Sequence, residues 1–395
     1  MFKKKYSLLT LIVSVFLAIL LTFQITFVSM REIYNHKENQ EQLTQSQEAS
    51  KLKQIIEMMQ AYCIYDIDRS LAYDAALSIF LAYSGDPYAA YYTPEAYASM
   101  QRADDGTNTG IGITIKDDPK GIRIATVTLG SPAEEAGLLA SDIITKLGQT
   151  ELANLTYEEK AYVLLGNEGE TAELTVLRGE QNLQFSIVRK SYESPTVLGY
   201  LLPDGKTGLV RIEQFNNTTP DAFKKLTSDL VKQGAEGFIY DLRDNPGGML
   251  ESIIPVLDYL LPEGRLVTLE DRSGVCETYD SDEKCFDYPA VILTSNNTAS
   301  AAELFSACMR DYGAAILLGE TTYGKGVAQT IVPLPDGSAI KFTAYRYYSP
   351  VTKNYDGVGL TPDIIVETPE NLTDFAHSNY ESDSQMQKAQ EALWK

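Results

Sequence analysis

The segment Gly237-Phe238-Ile239-Tyr240-Asp241-Leu242 is apolar almost without interruption and lacks the polar alternation of a half-exposed strand. Such a strand is typical of a parallel sheet with both faces covered, because neither set of its side chains meets water. Shorter apolar runs follow at Ala290–Thr294 and Ala315–Gly319, separated by segments with helical periodicity. The pattern predicts an α/β core over residues 193–370.

Three loops of this core carry polar or glycine-rich sequence directly after a predicted strand. They contain Gly247-Gly248, Ser300 and Lys325. In α/β proteins the loops at the carboxyl ends of the strands carry the chemistry. We therefore expect these loops to meet at one edge of the sheet.

Residues 105–192 predict a smaller α+β unit that precedes the core. The glycine-rich segment Gly110-Ile111-Gly112-Ile113 opens a strand, and Ser131–Leu138 reads as a short capped helix that ends at glycine. Thr156–Leu165 predicts a longer helix, and two further strands close the unit. This order of elements resembles a PDZ domain of the kind associated with bacterial proteases.

The N-terminus differs in character from the rest of the chain. Lys3, Lys4 and Lys5 precede Tyr6–Val28, which contains no charged residue and is long enough to cross a bilayer. The lysines predict a cytoplasmic N-terminus, so residues 1–30 read as a single-pass transmembrane signal anchor in the cell membrane, with the catalytic region extracytoplasmic. The alternative is a cleaved signal peptide, which is usually shorter.

Residues 31–104 predict a polar stalk followed by a small helical region. Apolar residues recur at helical spacing within Ile55–Ala82, which is a candidate contact for a homodimer. At the other end of the chain, residues 371–395 read as a polar, partly disordered tail.

The net charge of −21 argues against a nucleic-acid partner, because binding to phosphates requires clustered Lys and Arg. Four cysteines occur, without the spacing or neighbouring histidines of a metal site. Cys276 and Cys285 flank Glu277–Lys284, which predicts a hairpin. A disulfide between them and two free thiols both remain open.

Only two histidines are present, and His36 and His377 lie far along the chain from the polar loops. A hydrolase built on this sequence therefore needs another base. Lys325 is the candidate, because a desolvated lysine can lose its proton and activate a serine. Ser300 begins a helix, and Gln329 could accept a hydrogen bond from the lysine amine.

Negative charge on a substrate oxygen could be stabilised by the amide of Ala301 at the helix N-terminus and by one of the glycines Gly247 and Gly248. Each motif alone has a simpler interpretation, since a serine before a helix is usually an N-cap and Gly-Lys-Gly is usually a turn. Ser295 and Thr298 also leave the identity of the nucleophile open.

Four motifs in order resemble the C-terminal processing peptidases, also called tail-specific proteases. They are Asp241-Leu242-Arg243-Asp244-Asn245-Pro246-Gly247-Gly248, Thr298-Ala299-Ser300-Ala301-Ala302-Glu303, Tyr323-Gly324-Lys325-Gly326-x-x-Gln329 and Gly357-Val358-Gly359-Leu360-Thr361-Pro362-Asp363. The resemblance extends over nearly the whole chain, including Gly85-Asp86-Pro87-Tyr88.

The resemblance implies a serine-type endopeptidase in which Ser300 is the nucleophile, Lys325 the general base and Gln329 the residue that orients the lysine. It implies an oxyanion hole formed by a glycine of the Gly247-Gly248 pair and the amide of Ala301, and no metal or cofactor. Substrates would be proteins with accessible C-termini. The alternative function is a catalytically silent, membrane-anchored PDZ adaptor.

The implied PDZ domain would bind the C-terminal carboxylate of a peptide through the backbone N–H groups of Gly110-Ile111-Gly112-Ile113, and the peptide would lie beside the Thr156–Leu165 helix. Relatives that use this domain as a gate often carry Arg-Gly after that helix. Here the sequence is Leu164-Leu165-Gly166-Asn167, so the resemblance does not extend to a latch based on that arginine.

Overall fold

The structure is a computed structural model that describes residues 50–164, 166–368 and 382–395. The predicted membrane segment Tyr6–Val28 lies outside these residues. Within the described ranges no helix has both the length and the apolar character needed to cross a membrane. The chain divides into two compact units, one ending at Phe80 and the other beginning at Leu81.

Two helices account for most of the described part of the first unit. Helix α1 covers residues 50–62, and helix α2 (Arg69–Ala82) extends to the start of the second unit. The helical periodicity predicted within Ile55–Ala82 is thus confirmed. None of the residues of α2 is buried.

The second unit begins with strand β1 (Ala90–Tyr92), helix α3 (Pro94–Asp104) and strand β2 (Thr107–Gly110). Pro94 suits the first turn of α3, and Thr93 caps the helix by accepting from the N–H of Ala96. Strand β1 falls in the stretch that the sequence assigned to the N-terminal helical region.

A five-stranded antiparallel sheet with one additional short strand and two helices forms the predicted PDZ unit. Its elements are β3 (Ile113–Asp118), β4 (Gly121–Val127), α4 (Pro132–Ala136), β5 (Ile143–Leu147), β6 (Thr150–Glu151), α5 (Tyr157–Leu164), β7 (Thr171–Arg178) and β8 (Gln181–Val188). The strand order is β3-β4-β5-β7-β8, with β6 beside β5, so β3 forms one edge. Strand β9 (Lys190–Glu193) then returns along β2. Ile122, Ile144 and Leu174 are buried in the centre of this unit.

The remaining elements build the predicted α/β core and a second sheet. They are β10 (Val197–Leu201), β11 (Thr207–Ile212), α6 (Thr219–Gln233), β12 (Gly237–Asp241), α7 (Leu250–Leu260), β13 (Gly264–Asp271), β14 (Gly274–Ser281), β15 (Ala290–Thr294), α8 (Ala301–Asp311), β16 (Ala315–Gly319), β17 (Val327–Pro333), β18 (Ala339–Tyr348), β19 (Ile364–Ile365) and α9 (Ser384–Leu393).

The core sheet has the order β10-β11-β12-β15-β16-β19, and its strands are parallel except for β10. Alternate residues of β12 enter different clusters: Phe238 and Tyr240 pack with α6, α7 and α8, whereas Ile239 packs with α9. The prediction of a sheet covered on both faces is therefore confirmed.

The chain differs from the predicted polar tail over Ser384–Leu393, which forms α9. Met386 and Ala389 are buried against the sheet, and Asp383 caps the helix by accepting from the N–H groups of Gln385 and Met386. The segment Ser384–Leu393 has a polar composition because only one narrow stripe of the helix is apolar. The other residues of the predicted tail are described only from residue 382 onward.

A second, antiparallel sheet was not predicted. Its order is β1-β18-β13-β14, and β17 also pairs with β18. The predicted hairpin over Glu277–Lys284 is wrong, because β14 pairs with the preceding strand β13 across a turn at Arg272 and Ser273. Cys285 is an exposed free thiol.

Candidate active site

The three polar loops meet at the carboxyl ends of β12, β15 and β16, as expected. The Ala299 N–H donates to the Asn245 carbonyl at 2.9 Å, which joins the serine loop to the glycine loop. The Tyr323 N–H donates to the Thr298 carbonyl at 3.0 Å, which joins the lysine loop to the serine loop. The loops are thus linked through their backbones.

The backbone conformation of Ser300 distinguishes it from the other hydroxyl-bearing residues of this loop. Its φ is 55° and its ψ is −120°, at the junction between the serine loop and α8. Non-glycine residues rarely adopt such angles, and they concentrate at functional sites. The Ser295 hydroxyl donates to Asp244 and the Thr298 hydroxyl donates to the Leu242 carbonyl. The two alternative nucleophiles therefore have fixed structural roles.

The carboxylate of Glu303 links the serine loop to the lysine loop. It is fully buried, and Oε2 accepts from the Ser300 N–H at 2.9 Å and from the Lys325 N–H at 2.8 Å. Oε1 accepts from the Gly324 N–H at 2.7 Å and from the Thr322 hydroxyl. Four donors compensate the buried charge, so this side chain fixes the two backbones beside each other.

The backbone of Lys325 is held on both sides, while its amine lies on an aromatic ring. The Tyr347 hydroxyl donates to the Lys325 carbonyl and also lies against the Ser300 side chain. Lys325 Nζ is 4.6 Å from the centroid of the Tyr88 ring. Among the described residues, the amine forms no hydrogen bond with the Ser300 hydroxyl.

Burial lowers the pKa of Lys325 below the ordinary lysine value. The positive charge of Lys341 lowers this pKa further, whereas the carboxylates of Asp86 and Glu303 act in the opposite direction. A lysine whose protonated form is disfavoured by desolvation is suited to act as a base.

Gln329 lies on β17, but among the described residues its amide forms no hydrogen bond with the lysine amine. Gln329 Nε2 donates to the Thr343 hydroxyl at 3.3 Å, and this hydroxyl donates in turn to Asp86 Oδ1 at 2.9 Å. The predicted orientation of Lys325 by Gln329 therefore remains a prediction, which requires a change in this hydrogen-bond network.

The glycine pair lies against the start of α8. A Cβ on Gly247 would be 2.8 Å from the Ala301 nitrogen, so the glycine permits close approach of the two loops. The Gly247 N–H donates to Asn245 Oδ1 at 2.8 Å and is thus occupied. Within the described ranges, the N–H groups of Gly248 and Ala301 donate to no protein group, so these two are the available donors for an oxyanion.

The peptide-binding segment predicted in the PDZ unit, Gly110-Ile111-Gly112-Ile113, leads into the edge strand β3. Gly112 has a φ of 87°, and a Cβ there would lie 2.1 Å from the Ser131 Cβ, so only glycine fits. Helix α5 is tied to the end of β3 by the buried Lys160, whose amine donates to Asp117 Oδ1 at 2.7 Å. An open strand edge beside a helix is the geometry that accepts a peptide as an added strand.

An arginine from another element reaches the end of helix α5. Arg189, which follows β8, donates to the carbonyl of Leu164 at 3.0 Å, and a Cβ on Gly166 would touch its guanidinium. Although the sequence lacks Arg-Gly after α5, a positively charged side chain therefore contacts the C-terminal end of this helix.

Sequence reasoning assigned no role to Glu303, Tyr88 or Asp86, although all three were part of quoted motifs. Glu303 stands three residues after Ser300, the spacing at which a helical side chain can reach back to the backbone of the N-cap. That spacing was a usable signal. The sequence offers no comparable signal for Tyr88, because its contact with Lys325 depends on how β1 pairs with β18.

Comparisons with known proteins identify the family of the chain. The sequence model of peptidase family S41 matches residues 206–366, and that of a PDZ domain matches residues 109–188. A carboxyl-terminal-processing protease of Picosynechococcus is 32% identical over 333 residues, which is 82% of this chain and 80% of the relative. A probable CtpA-like serine protease of Staphylococcus aureus is 28% identical over 371 residues, 93% of this chain and 74% of the relative.

Two solved structures are similar to this chain in fold. The photosystem II D1 C-terminal processing protease superposes with a TM-score of 0.56 and 28% identity, covering 81% of this chain and 88% of that one. A putative S41 protease of Bacteroides fragilis shares the fold, with a TM-score of 0.54 and 18% identity over 86% of this chain and 96% of that one. The chain belongs to peptidase family S41 and is a serine protease of the carboxyl-terminal-processing type.

Proposed function

We propose that this protease cleaves peptide bonds with Ser300 as nucleophile and Lys325 as general base. The observation that carries the proposal is the pair of hydrogen bonds from the Ser300 and Lys325 backbones to one oxygen of Glu303. Because both backbone nitrogens are hydrogen-bonded to the same oxygen, the distance between them cannot exceed the sum of the two hydrogen-bond lengths. The flexible lysine side chain can therefore reach the serine hydroxyl by rotation about its own bonds.

In the first half of the reaction, neutral Lys325 takes the proton of the Ser300 hydroxyl as the oxygen attacks the scissile carbonyl carbon. The N–H groups of Gly248 and Ala301 stabilise the oxyanion. Lys325 then gives its proton to the leaving amine, and the C–N bond breaks to leave an acyl-enzyme. Water, deprotonated by the same amine, hydrolyses the ester and restores Ser300. Gln329 would orient the amine once its contact with Thr343 is released.

The PDZ unit would supply the preference for protein tails. A substrate C-terminus would add as a strand along β3, with its carboxylate at the backbone N–H groups of Gly110-Ile111-Gly112-Ile113. A peptide with a free C-terminus should bind at least about tenfold more tightly than its C-terminal amide, a difference of ~1.4 kcal/mol. Equal affinities, measured by fluorescence anisotropy, would exclude carboxylate recognition.

The catalytic assignment is tested by two single variants of the full-length protein in detergent micelles. Ser300→Ala and Lys325→Ala should each abolish cleavage of an unfolded protein substrate, while binding of tail peptides is retained. Lys225→Ala, which alters an exposed lysine of α6, serves as the matched control and should cleave normally. Cleavage by either catalytic variant would exclude the dyad, and peptide binding without any cleavage by the wild type would favour the adaptor.

We further propose that Tyr6–Val28 anchors the protein in the cell membrane and that the catalytic region is extracytoplasmic. The uncharged run and the lysines before it support this arrangement. Added protease should digest the PDZ unit and the core on intact cells stripped of their outer layers. Protection of both until the membrane is lysed would contradict the proposed topology.

A homodimer is proposed through the helices of the first unit. Met58, Ile64, Leu71 and Phe80 expose between 62% and 91% of their surface, and such a concentration of exposed apolar side chains is unusual for a monomer. Two copies would cover each other's apolar side chains. Sedimentation in micelles should give a dimer for the wild type and a monomer for Leu71→Asp; a monomeric wild type would refute this assembly.

A further inference from the structure

The position of the Lys325 amine over the Tyr88 ring bears on its protonation state. The ring face carries partial negative charge, so it attracts an ammonium group and attracts a neutral amine much less. At 4.6 Å from the centroid, Nζ is well within the range of this interaction. The contact therefore favours the form of Lys325 that cannot accept a proton from Ser300.

Tyr88 is fixed in this position by a short network anchored on β18. Its N–H donates to Asp86 Oδ1 at 2.9 Å. The two oxygens of Asp86 also accept from Thr343, Oδ2 from the N–H at 2.6 Å and Oδ1 from the hydroxyl at 2.9 Å. Pro87, between the two residues, restricts the backbone further.

The same network holds the side chain of Gln329. Gln329 Nε2 donates to the Thr343 hydroxyl, the group that also binds Asp86. Thr343 thus holds Tyr88 under the lysine amine through Asp86, and it also keeps the amide of Gln329 hydrogen-bonded to its own hydroxyl. Both contacts must change before the amine can be oriented toward Ser300.

The charged and titratable groups around the contact come from five parts of the chain. Lys325 faces Asp86 from the loop before β1, Glu303 from α8 and Lys341 from β18, and Tyr88 faces Tyr323 from the lysine loop and Asp356 from the loop after β18. The carboxylates of Asp86 and Glu303 favour the ammonium form of Lys325, in the same direction as the ring. Burial and Lys341 oppose them.

We propose that Tyr88 is a positioning residue that holds the Lys325 amine, in its protonated form, away from Ser300 in the resting enzyme. Cleavage then requires the amine to leave the ring. This inference rests on the proposed function of Ser300 and Lys325, and it adds a restraint on the base that the family resemblance did not assign.

The test compares Tyr88→Leu with Tyr88→Phe in the full-length protein in micelles. Leucine keeps an apolar cover over the lysine but removes the ring face, whereas phenylalanine keeps the ring face and removes only the hydroxyl. The measurement is kcat/KM for a fluorogenic peptide from neutral to alkaline pH. Thermal unfolding checks that each variant is folded.

For Tyr88→Leu, we expect kcat/KM at neutral pH to rise about fivefold and the rising limb of the pH profile to move about 0.7 pH unit toward acid, equivalent to ~1 kcal/mol. Tyr88→Phe should keep the wild-type profile. A Tyr88→Leu enzyme that is slower at every pH, or unchanged, would overturn the proposal, because Tyr88 would then support catalysis or be irrelevant to it.

Thr343→Val provides a second perturbation if Tyr88→Leu does not fold. It removes the hydroxyl that binds Asp86 and Gln329 and leaves the backbone contact in place, so kcat/KM at neutral pH should again rise. A fall would contradict the proposal. Ser300→Ala identifies the source of the cleavage: if that variant still cleaves, the proposed function fails, whatever the Tyr88 variants do.

Discussion

Replacement of Glu303 by glutamine tests whether one buried carboxylate aligns the nucleophile with the base. The carboxylate accepts from four donors, and the amide keeps only one oxygen. Two donors lose their acceptor and instead face an NH2 group. Hydrogen bonds to charged groups contribute about 1.5–3 kcal/mol each, so Glu303→Gln should cost ~3–6 kcal/mol in the arrangement of the two loops.

If the lower estimate of ~3 kcal/mol is lost entirely from the alignment of Ser300 with Lys325 in the transition state, kcat/KM should decrease by roughly 100-fold or more. The assay is peptide hydrolysis under conditions in which circular dichroism reports a folded protein. Glu277→Gln is the control, because this exposed carboxylate accepts from the Tyr279 hydroxyl and contacts neither the serine loop nor the lysine loop within the described residues, and it should leave kcat/KM unchanged.

A folded Glu303→Gln protein with a kcat/KM within about threefold of the wild type would refute the reasoning, since so small a change is under ~1 kcal/mol. It would mean that the backbone contacts between the loops suffice without the carboxylate. Loss of activity that only accompanies global unfolding would also count against a local role.

Three further outcomes are expected. The kcat/KM should rise with pH as Lys325 loses its proton, and, because burial lowers this pKa, the midpoint of the rise should lie below the ordinary lysine pKa of ~10.4; a flat profile would contradict a lysine base. Gly248→Ala should abolish cleavage and destabilise the core in urea titrations. Gly248 has a φ of 137°, and an added Cβ would lie 2.0 Å from the Phe215 carbonyl oxygen. A folded, active variant would show that the loop can shift. Met386→Ala, in the buried face of α9, should lower the free energy of unfolding by about 2–5 kcal/mol in the same titration, and a change below ~0.5 kcal/mol would mean that α9 is not part of the core.

The main elements of the core could be predicted from sequence because their signals are local. The apolar run at β12 indicated a strand with both faces covered, and the predicted bounds of β15 and β16 agree with the structure. The meeting of Ser300 and Lys325 at one sheet edge followed from the parallel strands, since their carboxyl ends lie together.

The second sheet was missed because its strands come from distant parts of the chain. Strand β1 pairs with β18, about 250 residues later, and neither strand alone shows which partner it will find. The hairpin was placed wrongly for a related reason. Asp280-Ser281-Asp282, inside the predicted hairpin, consists of residues that are common in turns, but the pairing of β14 with β13 places the turn at Arg272 and Ser273.

By itself, the amino-acid sequence determined which residue types were available for catalysis, a serine and a lysine without usable histidine, and which segments form the sheet that brings them together. Only the tertiary structure decided that Glu303 binds both backbones, that Tyr88 lies under the lysine amine and that Thr343 holds Gln329. The physical reason is that strand and helix signals arise from neighbouring residues. A hydrogen bond or a ring contact between distant residues depends instead on distances of a few ångströms, which are set when the whole chain packs.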